Sequence, residues 1–163
     1  MKIKKKMQDA LNEQINKEME SAYIYLAMAA YFDKENLTGM SHWMKKQAQE
    51  EVDHAMRIYR YVFERAGNVK LKAIKKPEHD WSNPLEVFEA AYEHEKFITD
   101  SINQLVDLSE ELDDKPTGTF LNWFIDEQVE EEDSALGIVE KLRMIGDAKP
   151  ALMMLDRVLG KRE

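Results

Sequence analysis

The most suggestive chemistry in the sequence is a glutamate and a histidine three positions apart, Glu51 and His54. On an α-helix, residues i and i+3 lie on one face, so a carboxylate and an imidazole at this spacing can bind one metal ion together. The chain has no cysteine, which excludes disulfides, thiolate nucleophiles, iron–sulfur clusters and thiolate zinc sites. An ExxH pair alone is a weak motif, so the elements that position it decide its meaning.

Glycine and proline divide the chain into four long segments and a short fifth, each with apolar residues at helical spacing. The third segment has a strong helix start, Asn83 followed by Pro84 and Glu86. The second is expected to end at Gly67 and Asn68 with a left-handed C-cap. We expect one domain, residues 1–163, with helices at 7–35, 38–66, 84–112, 116–145 and 149–159.

The connections between the helices predict the topology. Short links join the first helix to the second and the third to the fourth, so each pair is antiparallel. The stretch 68–83 would reach roughly 50 Å if extended, whereas the second helix spans roughly 42 Å. It can therefore cross the whole bundle, and its alternating Val69 and Leu71 suggest an extended strap on the surface. The predicted fold is an all-α four-helix bundle with one long crossover and a short C-terminal fifth helix.

Each long helix carries a glutamate on its inward apolar stripe. These four residues are Glu18, Glu51, Glu95 and Glu131. The fourth helix contains a run of three glutamates, so one of them is certain to fall on the inward stripe. The probability that the other three helices each have a glutamate on their inward stripe by chance is about 8%. An isolated buried carboxylate is costly, and four that converge repel one another unless protons or cations neutralise them. A pair of metal ions does so most simply.

The composition argues against nucleic acids and membranes as binding partners. The chain has 163 residues with 23 basic and 32 acidic side chains, a formal charge of −9, which argues against nucleic acid and anionic membranes. The basic start is followed by Gln8 and Asp9 where a signal peptide needs apolar residues. The most apolar stretch, 22–32, is about half of the ~20 residues of a membrane span. We expect a cytoplasmic protein with no membrane or nucleic-acid partner.

Four stretches resemble the ferritin-like di-iron carboxylate bundles, and among them the non-haem ferritins of bacteria and archaea. The resemblance covers essentially the whole chain and is most specific at 11–18 (LNEQINKE), 47–55 (QAQEEVDHA), 92–95 (YEHE) and 120–132 (FLNWFIDEQVEEE). Bacterioferritins and rubrerythrins repeat ExxH on the fourth helix, where this chain has Gln128 three positions before Glu131. Bacterioferritins also bind haem through a methionine at the position of Val52. One ligand histidine and no haem are therefore expected.

The resemblance implies two iron ions per subunit that share one glutamate. The first site would be formed by Glu18, Glu51 and His54. The second would be formed by Glu51, Glu95 and Glu131, with Gln128 beside it. A third, weaker site would be formed by Glu50, Glu127, Glu130 and Glu131. Carboxylate oxygens with a single imidazole also suit iron or manganese better than zinc or copper(I).

The resemblance further implies a ferroxidase that oxidises Fe(II) with dioxygen or peroxide and deposits ferric mineral inside a cage of 24 identical chains. A second apolar face on the first helix, with Tyr23 and Ala27, agrees with burial against another subunit. Tyr25, and less strongly Trp123, are expected redox or hydrogen-bonding neighbours of the iron, with ordinary aromatic packing as the alternative. The other histidines are expected at the surface or an interface: His42, His79 and His94.

Two other kinds of protein remain open at this point. One is a ferritin-like di-metal oxidase or a DNA-protecting miniferritin, which would form its iron site between subunits. Ligands on all four helices of one chain argue against it. The other is a structural helical bundle without enzymatic activity, in which the inward glutamates are merely solvated or paired.

Overall fold

The computed structural model describes all 163 residues, Met1–Glu163. Five helices are present and there is no β-strand. None of the helix bounds differs by more than two residues from the expected one, and no helix offers an apolar stretch of the length that a bilayer crossing requires. The helices are α1 (Lys5–Lys34), α2 (Thr38–Glu64), α3 (Pro84–Glu111), α4 (Lys115–Ile145) and α5 (Lys149–Leu159).

The apolar core falls into two halves, and the order in which the helices reach them gives the topology. We call the half around Leu11 and Leu121 the lower core, and the half around Phe32, Met44 and Phe88 the upper core. Helix α1 runs from the lower core to the upper core, and α2 and α3 both run back. Helix α4 returns to the upper core. The predicted four-helix bundle with one long crossover is therefore confirmed.

Asn83 at the start of α3 and Gly67 after the end of α2 have different structural roles. The Asn83 side chain accepts a hydrogen bond from the backbone N–H of Glu86 at 3.0 Å, so the expected cap of α3 is present. At the end of α2 the expected left-handed cap at Gly67 and Asn68 is wrong, because the left-handed residue is Ala66, with φ of 53°. Gly67 serves close packing instead, since a Cβ there would lie 2.9 Å from the Ile3 side chain.

The segment 65–83 that joins α2 to α3, which we call the crossover strap, lies along α1. Hydrogen bonds hold it there: the Asn12 amide donates to the Asn68 carbonyl at 3.0 Å and accepts from the Lys70 N–H at 3.0 Å. Of the alternating apolar residues, Val69 packs on the lower core, but Leu71 is 71% exposed. Polar contacts with α1 thus fix the strap more than apolar burial does.

Helix α5 packs against the first turn of α2 through backbone contacts. A Cβ on Gly39 would lie 1.7 Å from the carbonyl oxygen of Asp156 and 3.0 Å from the backbone nitrogen of Gly160. The Asp156 carboxylate accepts a hydrogen bond from the N–H of Met40 at 2.8 Å, which satisfies a free donor at the start of α2. This contact fixes the C-terminal tail beside α2.

We expect Gly39→Ala to destabilise the protein by roughly 1–3 kcal/mol, because the added methyl group overlaps the α5 backbone. Gly137→Ala is the matched control: no atom lies within 4 Å of its Cβ position, and alanine favours a helix interior by about 0.5–1 kcal/mol. Thermal unfolding of both variants checks the difference. Equal melting temperatures would contradict the close packing of α5.

Candidate metal centre

A layer of buried polar side chains separates the upper core from the lower core. Each member occupies an inward position of its helix, between apolar residues of both core halves. None is more than 6% exposed. The members are Gln14, Glu18, Gln47, Glu51, His54, Glu95, Gln128 and Glu131.

The four predicted glutamates and the histidine form two overlapping groups of ligand atoms. In each group, one atom from every residue lies within 4.8 Å of the others. Glu51 belongs to both groups, so one carboxylate lies between two candidate ion positions. The first group is Glu18, Glu51 and His54, and the second is Glu51, Glu95 and Glu131.

The imidazole of His54 faces two carboxylates with one nitrogen and a third with the other. Its Nδ1 lies 3.3 Å from Glu51 Oε2 and 4.0 Å from Glu18 Oε2. Its Nε2 lies 3.7 Å from Glu127 Oε1. Glu18 Oε2 is fully buried and has no hydrogen-bond partner. A buried carboxylate oxygen without a donor is costly, and a cation at this point would satisfy it.

Two glutamines that were not predicted as site residues hold the glutamates in place. Gln14 Nε2 donates to Glu18 Oε1 at 2.9 Å. Gln47 Nε2 donates to Glu131 Oε2 at 2.6 Å and to Glu51 Oε1 at 3.1 Å. Each glutamine precedes a glutamate of the layer by four positions, so the two side chains share a helical face. That spacing is the signal from which both could have been predicted.

The oxygen of the Gln14 amide is held from the outer side of the bundle. Gln14 Oε1 accepts from the Ser101 hydroxyl at 2.6 Å, and Ser101 Oγ accepts from Lys17 Nζ at 2.7 Å. The amide nitrogen therefore points inward to Glu18. Lys17 itself does not pair with the glutamate.

The second predicted ion position is bordered by Tyr25 and Gln128. The Tyr25 hydroxyl donates to Glu95, and Gln128 Nε2 donates to the other oxygen of that carboxylate at 3.1 Å. Burial and the negative charge of Glu95 raise the pKa of Tyr25 well above its usual value, which keeps the phenol protonated. Tyr25 is thus a hydrogen-bonding neighbour of the site and not only a packing residue.

His94 differs from its expected place at the surface or an interface. It is half-buried between α1 and α3, its Nε2 lies 2.6 Å from Ser21 Oγ, and its ring packs edge-on against Tyr25 at 6.3 Å. Burial lowers the pKa of His94 to about 4. A neutral imidazole therefore packs against Tyr25.

Trp123 packs against the ligand-type histidine. Its ring centroid lies 5.4 Å from that of His54 in an edge arrangement, and the Arg57 guanidinium lies 4.1 Å from the Trp123 ring. The indole therefore supports the imidazole and is itself covered by a cation. These contacts agree with the alternative expected for Trp123, ordinary aromatic packing.

The residues of the expected third site are only partly together. Glu127 and Glu131 form a third group of ligand atoms with His54, all within 4.8 Å. Glu50 lies outside that group, and its carboxylate pairs with Arg162 at 2.7 Å. Glu130 is exposed and belongs to no such group.

The glutamates of the layer carry strongly perturbed protonation. Burial raises the pKa of Glu18, and the neighbouring charge of Glu51 raises it further. Burial and the charge of Glu95 likewise raise the pKa of Glu51, and they raise that of Glu131 to about 8. No lysine or arginine forms an ion pair with any of the four glutamates. The charge of the layer is therefore left for protons or added cations to neutralise.

A four-helix bundle with one long crossover and a buried cluster of carboxylates around one imidazole defines a class of metal-binding proteins. Comparison with known proteins gives the family within that class. The model of the Ferritin family, described as a ferritin-like domain, matches residues 8–145. This chain belongs to the ferritin family.

Its relatives match over nearly their full length. A bacterial non-heme ferritin of Bacteroides fragilis is 44% identical over 98% of this chain and 99% of the relative. A second, from Campylobacter jejuni, is 40% identical over 96% of this chain and 94% of the relative. The crystal structure of an open pore ferritin from the archaeon Archaeoglobus fulgidus has a TM-score of 0.98 at 52% identity and covers 99% of both chains.

We expect the metal-free protein to lose stability as pH rises, because of the raised pKa of Glu131. A free glutamate ionises near pH 4.5, but Glu131 in the fold ionises near 8, so the unfolded chain loses its proton first. The free energy of unfolding therefore falls between these pH values. Glu131→Gln has no proton to lose, and we expect it to stabilise the metal-free protein at pH 8 by on the order of a few kcal/mol, but not below pH 4.5.

Thermal unfolding in the presence of a chelator measures this pH profile. Glu140→Gln makes the same chemical change at an exposed position of α4 and should follow the wild-type profile. If Glu131→Gln also followed it, the burial of an ionisable carboxylate at this position would not be what controls stability.

Proposed function

We propose that this chain stores iron and oxidises it, with Fe(II) as substrate and dioxygen or peroxide as oxidant. The observation that carries the proposal is the pair of ligand groups that share Glu51, buried in a layer with no basic ion-pair partner. Two metal ions held a few ångströms apart allow one oxidant to accept two electrons in one encounter. Release of one-electron oxygen radicals is thereby avoided.

In this proposal the chain supplies a hard, mostly anionic donor set for two ions. The first ion is assigned to Glu18, Glu51 and His54, and the second to Glu51, Glu95 and Glu131. Oxygen-rich sets with one imidazole suit Fe(II) and Fe(III). The unpartnered Glu18 Oε2 and the raised pKa values support the assignment, because cation binding would satisfy the oxygen and release the protons.

Tyr25 and Gln128 have positioning roles at the second ion. Tyr25 donates a hydrogen bond to one oxygen of the Glu95 carboxylate and Gln128 donates one to the other, so the two residues fix the orientation of that carboxylate. Tyr25 is also close enough to the cluster to serve as a redox neighbour during oxidation. Glu50, Glu127, Glu130 and Glu131 remain the proposed third, weaker site, which is supported by the group of ligand atoms that Glu127 and Glu131 form with His54.

The arrangement also bears on the alternatives. A miniferritin that forms its iron site between subunits would not gather all its ligands within one bundle, as this chain does. A purely structural bundle would be expected to pair its buried carboxylates with lysine or arginine, and here glutamines and one tyrosine contact them instead. Both features favour the ferroxidase.

We expect Glu51→Gln to lose fast iron oxidation, because it removes the negative charge that both ions would share. His54→Ala should weaken the first ion position, and both variants should oxidise Fe(II) at least about tenfold more slowly than wild type. The measurement is ferric absorbance after aerobic addition of Fe(II) to the metal-free protein. Glu140→Gln, exposed on α4, is the matched control. Wild-type oxidation no faster than buffer would refute the proposal.

We further propose that the chain assembles as a hollow homo-oligomer of 24 subunits that encloses the mineral. An apolar groove outside the bundle supports burial against another copy. It lies between α1, α2 and the crossover strap, and half of the side chain or more is exposed at Tyr23 and Leu26. Its lining includes Met19, Tyr23, Leu26, Val52 and Ile74.

We expect Leu26→Glu to disrupt the assembly, because a carboxylate in a closed apolar interface would be desolvated without a partner. Light scattering coupled to gel filtration gives the mass of the particle. Val129→Glu places the same charge at an exposed position outside the groove and should leave the mass unchanged. A full-size particle for Leu26→Glu would mean that the groove is not a subunit contact.

A further inference from the structure

The C-terminal tail carries an arginine, Arg162, whose side chain lies on α2 just outside the buried layer. Its Nη2 donates to Glu50 Oε2 at 2.7 Å and to Gln47 Oε1 at 3.0 Å. Its Nη1 donates to the Trp43 carbonyl at 3.1 Å, and the guanidinium lies 4.4 Å from the Trp43 ring. A planar fork of donors is what allows one side chain to reach a carboxylate, an amide and a carbonyl together.

The tail is fixed on both sides of this contact. The backbone carbonyl of Arg162 lies 2.6 Å from His42 Nε2. Upstream, Asp156 caps the start of α2 through Met40, and Gly39 allows the close approach of the two backbones. The position of the guanidinium is thus built into the fold.

Gln47 connects this arginine to the glutamates of the layer. Its amide oxygen faces Arg162, and its amide nitrogen donates to Glu131 and Glu51. Rotation of the amide by half a turn would place its oxygen against two carboxylates and its nitrogen against a cation. The guanidinium therefore favours, together with the two carboxylates, the orientation in which the Gln47 amide nitrogen points inward.

Glu50 is the second group that Arg162 controls. Its carboxylate is engaged by the guanidinium, and it lies apart from the group formed by His54, Glu127 and Glu131. A cation that recruits Glu50 must first separate it from this ion pair. The pair is part-buried, with 21% of the Arg162 side chain and 42% of the Glu50 side chain exposed. The ion pair therefore competes only modestly with a cation for Glu50.

We propose that Arg162 is a positioning residue with two effects: it orients the Gln47 amide toward Glu51 and Glu131, and it withholds Glu50 from a third cation. The inference rests on the proposed function, in which Glu51 and Glu131 bind metal. Through Arg162, the C-terminal tail would control the affinity for the paired ions relative to the affinity for the third ion.

Anaerobic calorimetric titration of the metal-free assembled protein with Co(II), which oxygen chemistry does not complicate, tests the two effects separately. In Arg162→Gln we expect the paired ions to bind about tenfold more weakly, because the Gln47 amide is no longer oriented. The third ion should bind about threefold to fivefold more tightly, because Glu50 is released. A general loss of structure would weaken both and cannot produce opposite changes.

Two further variants and one control sharpen the test. Arg162→Lys keeps a charge for Glu50 but lacks the fork, so the paired ions should weaken while the third ion stays within about twofold of wild type. Adding Glu50→Gln to Arg162→Gln should abolish the gain at the third ion. Lys161→Gln removes the same charge one residue away, at an exposed side chain, and should match wild type.

The outcomes distinguish this inference from the proposed function. If wild type binds the paired ions and Arg162→Gln leaves both affinities within about twofold, the role of Arg162 is refuted and the ferroxidase stands. If neither wild type nor Lys161→Gln binds a pair of Co(II) ions, the proposed function fails and this inference fails with it.

Discussion

The burial of four neighbouring carboxylates is the constraint on which the rest of this structure depends. Burial raises the pKa of these glutamates, and the charges of their neighbours raise it further, so without lysine or arginine partners they disfavour the folded state unless protons or cations join them. The bundle accommodates them by placing them in one layer with apolar core on both sides. Long amphipathic helices make this possible, because each needs to contribute only one glutamate to a stripe that is otherwise apolar.

Most of the fold was predictable because its signals are local. Asn83, Pro84 and Glu86 specify the start of α3 by chemistry that operates within one turn. The end of α2 could not be predicted as well, because Gly67 is required by packing against Ile3, sixty-four positions earlier, and the left-handed conformation passes to Ala66. In the same way, the exposure of Leu71 depends on how the crossover strap meets α1, which the alternation of residue types does not specify.

In the site, too, the features with a local sequence signal were predictable and those that depend on contacts between distant residues were not. The two groups that share Glu51 follow from helical spacing and from the family resemblance, and the structure brings their atoms together. Gln14 and Gln47 carry a local signal too, at four positions before a glutamate, but amides on an apolar stripe are easily taken for tolerated polar residues. The pairing of Glu50 with Arg162 joins residues 112 positions apart, and no motif relates them. His94 is half-buried for a similar reason, since Ser21 and Tyr25 reach it from another helix.

An amide has a donor end and an acceptor end, and the carboxylate layer requires the donor end to point inward. The oxygen that then faces outward needs a donor of its own. Gln14 receives one from Ser101, which is in turn bonded by Lys17, and Gln47 receives one from Arg162. The needs of the four buried glutamates therefore extend to cationic side chains that do not contact these glutamates. Gln128 differs, because its nitrogen serves Glu95 and Thr99 without an outer cation to orient it. The two sides of the centre are thus not equivalent: surface cations orient the amides of Gln14 and Gln47, whereas buried and part-buried contacts within the bundle hold Gln128.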